Sequence, residues 1–233
     1  MKHFHTFEKF LLENAGASSL TEDQINWCKE WMGDRWIVQG DEIEVRGDVT
    51  FKNMKDEFIP VRFGEYVSNF TFNTCSKLKS LEGSPRQVSV FAVLNCPSLE
   101  SLEGSSRSAY SCQIRGTSIK NLTGMPSEVI DTLICDHNPL LESFEGCFQT
   151  KVSHGGILYE FSARSCPKIK TIFGAPLSEN YTIDTENIVN LVERKWIEEK
   201  NLEMIHLWLS SKLPIEEFLE KKKGLLSAKK FGL

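Results

Sequence analysis

The chain has 233 residues, of which 40% are hydrophobic and 25% charged, and its formal net charge is −5. This composition fits one elongated domain, and the negative charge disfavours binding of DNA or membranes through bulk electrostatics. Apolar runs fall short of the ~20 residues of a membrane span, and the N-terminus lacks the apolar segment of a secretory signal. We therefore expect a cytoplasmic protein whose seven cysteines stay reduced.

Two helices are predicted near the N-terminus. Apolar residues recur at helical spacing from Phe7 to Leu11, and a second helix begins at Thr21, which forms a capping box with Gln24. Because the first unit of a repeat array would otherwise expose its core, we interpret residues 1–34 as an N-terminal helical cap.

The following region, residues 35–179, begins with a predicted β-hairpin and continues as a repeat array. The hairpin turns at Gly40-Asp41. Between residues 67 and 174, a phrase with L-x-x-L spacing recurs five times and ends each time on a glycine: Gly83, Gly104, Gly124, Gly146 and Gly174. Intervals of 20–28 residues with this spacing are typical of leucine-rich repeats.

Alternating apolar residues upstream of each phrase predict short strands with one buried face. The clearest pair is Phe70 and Phe72, and a fainter copy at Val49 and Phe51 brings the number of repeats to six. Stacked repeats bury a continuous core. We therefore predict an α/β solenoid, a short leucine-rich-repeat-like array with a parallel sheet and helical caps at both ends.

Residues 180–233 are predicted to form a C-terminal helical region with a basic tail. One amphipathic helix contains Ile188 and Trp196, a second contains Trp208, and a third follows Pro214. Before this region, residues 147–158 lengthen the last repeat. Insertions in repeat arrays map to loops on one face, which is often the binding face.

Catalytic motifs are lacking: the sequence contains no P-loop, G-x-S-x-G, G-x-G-x-x-G or H-E-x-x-H pattern. Cys135 and His137 would share one face of a strand, where a structural histidine is favoured over a metal ligand or a catalytic pair. Cys147 and His154 in the insertion are the alternative nucleophile and base. The sequence therefore predicts a protein that is not an enzyme and that holds no cofactor or metal.

The concave face of the sheet is the predicted binding surface, because side chains between the buried strand positions point there. Its expected partner-binding residues are Asn73, Ala92, Leu94, Gln113, Arg115, Ile134, Asp136, Ser162 and Arg164. An apolar middle with charges around it suits a protein partner. Leu94 beside Arg115 is the expected anchor pair. The charges of Arg115, Asp136 and Arg164 on neighbouring strands could also pair within the sheet.

The order of motifs resembles the small leucine-rich-repeat-like proteins of T-even-type tailed bacteriophages. The resemblance covers about residues 20–175 and rests on Trp27 and Trp31, on Gly47-Asp48-Val49, on residues 59–64 and on the repeats. It implies a phage protein that acts in the infected host cell, and it names no target.

We thus expect a non-enzymatic module that sequesters or inhibits a host defence or takeover protein, with a host or phage protein as its partner and no membrane contact. The alternatives are a virion or host-recognition component and a nucleic-acid-associated regulator. The regulator would use the basic C-terminus: Lys221, Lys222, Lys223, Lys229 and Lys230.

Overall fold

The computed structural model describes residues 20–147 and 156–230, with residues 224–230 as backbone only. The predicted first helix and most of the 147–158 insertion lie outside these residues. The described chain forms a β-solenoid of about six turns on a seven-stranded parallel sheet, with four α-helices. None of these helices combines the length and the apolar character that a membrane span requires.

Nine strands and four helices make up the described chain. The strands are β1 (Trp36–Gln39), β2 (Glu42–Val45), β3 (Val49–Lys52), β4 (Tyr66–Asn73), β5 (Gln87–Leu94), β6 (Ser108–Arg115), β7 (Glu128–Ile134), β8 (Leu158–Ala163) and β9 (Ser178–Ile183). The helices are α1 (Glu22–Met32), α2 (Leu191–Glu198), α3 (Leu202–Ser211) and α4 (Ile215–Lys230). β1 and β2 form the predicted antiparallel hairpin, and β3 to β9 follow one another in the parallel sheet.

The predicted inward positions are the core of the solenoid. Phe70 and Phe72 are buried, and so is Leu99 in the middle of the array. The turn glycines have positive φ, and a Cβ on Gly104 (φ +83°) would lie 2.5 Å from the backbone nitrogen of Glu82. Glycine is thus required there both for its backbone conformation and for the close packing of successive turns.

A residue in the left-handed backbone conformation follows most strands of the sheet. Its position aligns the third repeat with its neighbours. Asn95 and His137 have φ of 55° and 57°, and Gly116 has φ of 64° at the same position. Gly116 therefore corresponds to Asn95 and His137, and Thr117 corresponds to the next residues, Cys96 and Asn138. The backbone N–H and the hydroxyl of Thr117 donate to Asn138 Oδ1 at 3.0 and 2.8 Å.

At the N-terminal end, α1 packs against the first strand of the array. The capping box of Thr21 and Gln24 is formed as predicted. The rings of Trp27 and Trp31 lie 5.3 and 5.4 Å from the ring of Phe51 on β3. These aromatic contacts pack α1 onto Phe51, which is fully buried.

At the C-terminal end, the sheet continues past the predicted boundary at residue 179, and an incomplete turn follows β9. Val189 N donates to Lys170 O, just as Glu142 N donates to Lys120 O two turns earlier. Ile188, expected in a helix, is instead a buried residue of this turn.

Helix α2 then supplies the hydrogen-bond acceptor that a complete turn would provide. Inside the array, Leu122 N donates to Glu145 O of the next turn. Ile172 holds the same position in the last turn, and its N–H donates to the Glu193 carboxylate. Thr171 Oγ1 donates to the other oxygen at 3.0 Å. Burial outweighs these hydrogen bonds and raises the pKa of Glu193 to about 7.

All seven cysteines are free and buried, as predicted. Cys75, Cys96 and Cys166 follow the strands at the position of Asn138, and Cys166 Sγ donates to Cys135 O at 3.1 Å. The thiols therefore act as small core side chains that contact the backbone of the preceding turn.

Candidate functional site

The outer face of the sheet, the side away from the core, carries the predicted columns of side chains. The strand register sets Ala92 opposite Thr71 and Gln113, and Leu94 opposite Asn73 and Arg115. Asn73, Leu94, Gln113, Arg115 and Ile134 are partly buried on this face, and Arg164 is exposed. These six predicted residues therefore lie on one continuous surface of five neighbouring strands.

Three of the predicted residues are buried, which corrects the expectation that a partner would contact them. Ala92 and Ser162 are almost fully buried, and Asp136 is 0% exposed. Asp136 Oδ1 accepts from Ser162 Oγ at 2.6 Å and from Arg164 N at 2.9 Å, and its Oδ2 accepts from Arg164 Nη2 at 2.9 Å. Burial opposes ionisation, but these hydrogen bonds outweigh it and lower the pKa of Asp136.

Asp136 and Arg164 therefore act inside the sheet, where they connect the chain after β7 to β8. The 148–155 segment lies between these two strands in sequence, so the pair fixes their register where the backbone connection is longest. The charged pairing that the sequence suggested for neighbouring strands is present here.

Arg115 differs from Arg164, because it lacks such a partner. Its Nε is buried and makes no hydrogen bond within the described part of the chain. Trp31 Nε1 and Ser106 Oγ share this property, but they lie on α1 and in the loop before β6. A buried donor without a hydrogen bond costs free energy of folding. Arg115 is the one predicted site residue with such a donor among the described residues.

Sequence reasoning missed the exposed tyrosines at the beginnings of the strands. Tyr66, Tyr110 and Tyr159 are each at least half exposed on β4, β6 and β8. The parallel strands start several residues before the apolar alternation that predicted them. Tyr110 lies one repeat period before Asp131 in the sequence, and the residue one period before Tyr110 is Ser89, so no periodic aromatic signal marks it.

The structure separates Cys135 from His137. Cys135 is buried, whereas His137 is exposed in a left-handed conformation after the end of β7, so the two do not share a strand face. Cys147 is also buried, and burial raises the pKa of its thiol, which opposes a nucleophilic role. His154 lies outside the described residues. Within those residues, no group of three or more His, Cys, Asp or Glu side chains could hold a metal.

The basic C-terminal residues all lie on α4, with Lys221–Lys223 in its middle and Lys229 and Lys230 at its end. Lys221 Nζ lies 3.3 Å from Glu217 Oε1, in an exposed pair one helical turn apart. Lys222 is partly buried and Lys223 is exposed. The side chains of Lys229 and Lys230 are outside the described set. Part of this positive charge is thus balanced within the helix itself.

Comparison of the chain with protein-family models, with curated proteins and with solved structures finds no match. The arguments for function therefore come from the outer face and from its chemistry.

Proposed function

We propose that the chain is a non-enzymatic binding module, built as a leucine-rich-repeat-like solenoid with helical caps, that captures a protein partner on the outer face of its sheet. The observation that carries the proposal is the unpaired, partly buried Arg115 beside Leu94. Because its Nε is buried, the terminal Nη groups of the guanidinium are the donors that a partner carboxylate would reach.

The surroundings of Arg115 support an interface anchor. Leu94 lies on the neighbouring strand in the same column, and Ile134 adds apolar surface on the next strand. Interface energy concentrates at a few well-packed residues, and arginine is among the residue types enriched there. A partner with a carboxylate next to an aliphatic or aromatic side chain would satisfy Arg115 and cover Leu94 at once.

The biological setting of the proposal comes from the resemblance to phage proteins. On that basis, the partner is a host or phage protein in the infected cell, and capture sequesters or inhibits it. A regulator that binds nucleic acid through Lys221–Lys223 and the tail stays the alternative.

Affinity capture from a lysate of host cells, followed by mass spectrometry, tests the proposal. The bait is the full chain, compared with the double variant Leu94→Asp/Arg115→Glu and with the control Lys77→Glu, an exposed residue in the turn after β4. We expect the wild type and the control to retain the same partner and the double variant to lose it, with unchanged circular dichroism. Equal capture by all three chains would rule out the outer face as the binding surface.

A further inference from the structure

The charged residues of the sheet are segregated along the strands. Strands β4 to β9 contain four acidic side chains, Glu128, Asp131, Glu160 and Glu179, none of them beyond the middle of its strand. Arg115, at the end of β6, is the only basic residue in these six strands, all of which are described. Within the strands, one end of the outer face is thus acidic, and the anchor of the proposed partner lies at the other end. Two arginines directly precede strands at the acidic end: Arg107 is exposed before β6, and Arg86 before β5 pairs with Glu42 and Glu65.

Two exposed tyrosines flank the acidic residue in the middle of this end. Tyr110 on β6 is 50% exposed and Tyr159 on β8 is 58% exposed. The register between β6 and β7 shifts so that both Ile130 and Asp131 face Tyr110. Bulges of this kind redirect a side chain, and here the Asp131 carboxylate comes to lie beside Tyr110.

The Asp131 carboxylate keeps capacity for a further donor. Its Oδ2 accepts from Thr132 Oγ1 at 2.8 Å, and Tyr110 lies beside it. An ionised carboxylate offers about four acceptor positions, so at least about two stay open to a ligand. An arginine side chain that bonds a carboxylate through two N–H groups needs two acceptor positions.

The spacing of the strands suits a cation between the two rings. Tyr110 and Tyr159 lie on alternate strands, so their backbones are about 10 Å apart with the strand of Asp131 between them. A cation above Asp131 would lie within roughly 6 Å of both rings, the range of cation–π attraction.

We propose that an acidic tyrosine strip, formed by Tyr110, Asp131, Tyr159, Glu160 and Glu179, binds an arginine side chain of the protein partner. The guanidinium sits on the Asp131 carboxylate between the two rings, and Glu160 and Glu179 supply the surrounding negative potential. Arginine fits better than lysine, because its planar group stacks on aromatic rings while it bonds a carboxylate with two N–H groups. The inference rests on the proposed function of the outer face and names the chemistry of the partner.

Fluorescence polarisation with two labelled peptides tests the strip on the full chain. One peptide alternates arginine and glycine, and the other alternates lysine and glycine at the same charge. We expect the arginine peptide to bind several-fold more tightly than the lysine peptide. The Tyr110→Ala/Tyr159→Ala variant should weaken arginine-peptide binding about ten-fold, since two cation–π contacts are lost. The Tyr110→Phe/Tyr159→Phe variant keeps both rings and should bind within about two-fold of the wild type.

A pair of single-charge variants separates the strip from net charge. Asp131→Asn should weaken arginine-peptide binding about ten-fold, as expected for a direct contact, whereas Glu100→Gln, in an exposed turn, should change it less than about two-fold. No binding, equal affinity for both peptides, or equal effects of Asp131→Asn and Glu100→Gln would overturn the strip. None of these variants changes Leu94 or Arg115. The peptide assay can therefore refute arginine binding while the capture experiment supports the outer face as the partner site, and the opposite pair of results is also possible.

Discussion

Glu193 gives the structure a dependence on pH that a single substitution should remove. Its side chain is 1% exposed and accepts hydrogen bonds from the last turn of the solenoid. Because burial raises its pKa to about 7, against about 4.5 in an unfolded chain, the folded protein binds a proton more tightly than the unfolded one. The stabilisation from Glu193 is therefore complete below about pH 4.5 and is lost as pH rises through about 7.

The size of the effect follows from the difference between the two pKa values. At about 1.4 kcal/mol per unit, a rise from about pH 5 to about pH 8 should remove about 2–3 kcal/mol of unfolding free energy. Glu193→Gln keeps a neutral side chain that can accept from Ile172 N at every pH. The difference in stability between this variant and the wild type should thus grow by the same amount over that interval.

Urea unfolding of both chains at several pH values measures this difference, in which the titration of all other groups cancels. Glu203→Gln, at an exposed position of the neighbouring helix α3, is the matched control and should follow the wild type at every pH. The difference in unfolding free energy between Glu193→Gln and the wild type could instead be constant from about pH 5 to about pH 8. That result would refute the raised pKa of Glu193.

Three further substitutions test the packing of the array, each by denaturant unfolding. Leu99→Ala should cost about 2–5 kcal/mol, because Leu99 is fully buried between neighbouring turns; an unchanged midpoint would refute the register. Asn138→Asp should cost at least about 3 kcal/mol, since Asn138 Nδ2 donates to two buried carbonyls that a carboxylate would repel; a cost below about 1 kcal/mol would contradict this network. Gly104→Ala should cost more than about 2 kcal/mol through strain and close contact. The control Gly40→Ala, at φ +68° with open space around it, should lower the unfolding free energy by less. Equal losses in the two variants would show that close packing at Gly104 does not add to the cost.

The sequence predicted the solenoid because each repeat carries its own pattern. Residues such as Phe70 and Phe72 had to face one core, and the turn glycines marked the period. The seventh strand, β9, was not predicted, because the turn that follows it has Ile188 but no terminal glycine. Helix α2 replaces the end of that turn, so its sequence shows helical spacing where the repeat phrase would stand.

The outer face was predicted only in part, because alternation shows which side chains leave the core but not how they pair. Asp136 and Arg115 occupy the same column, and their sequence context did not distinguish them. Asp136 is buried by contacts with Ser162 and Arg164 across a long connection. Among the described residues, no acceptor bonds to Arg115 Nε. The tyrosines were missed because β4, β6 and β8 begin several residues before the apolar alternation that predicted them.

Site-specific photo-crosslinking tests most directly whether the outer face binds the partner. A benzophenone amino acid replaces Asn73, which lies on the outer face beside Leu94, or Glu103, which is exposed in a turn beyond the sheet. The account predicts that, after irradiation in host lysate, the chain labelled at position 73 is crosslinked to the captured protein and the chain labelled at position 103 is not. Crosslinking from position 103 with none from position 73 would contradict it.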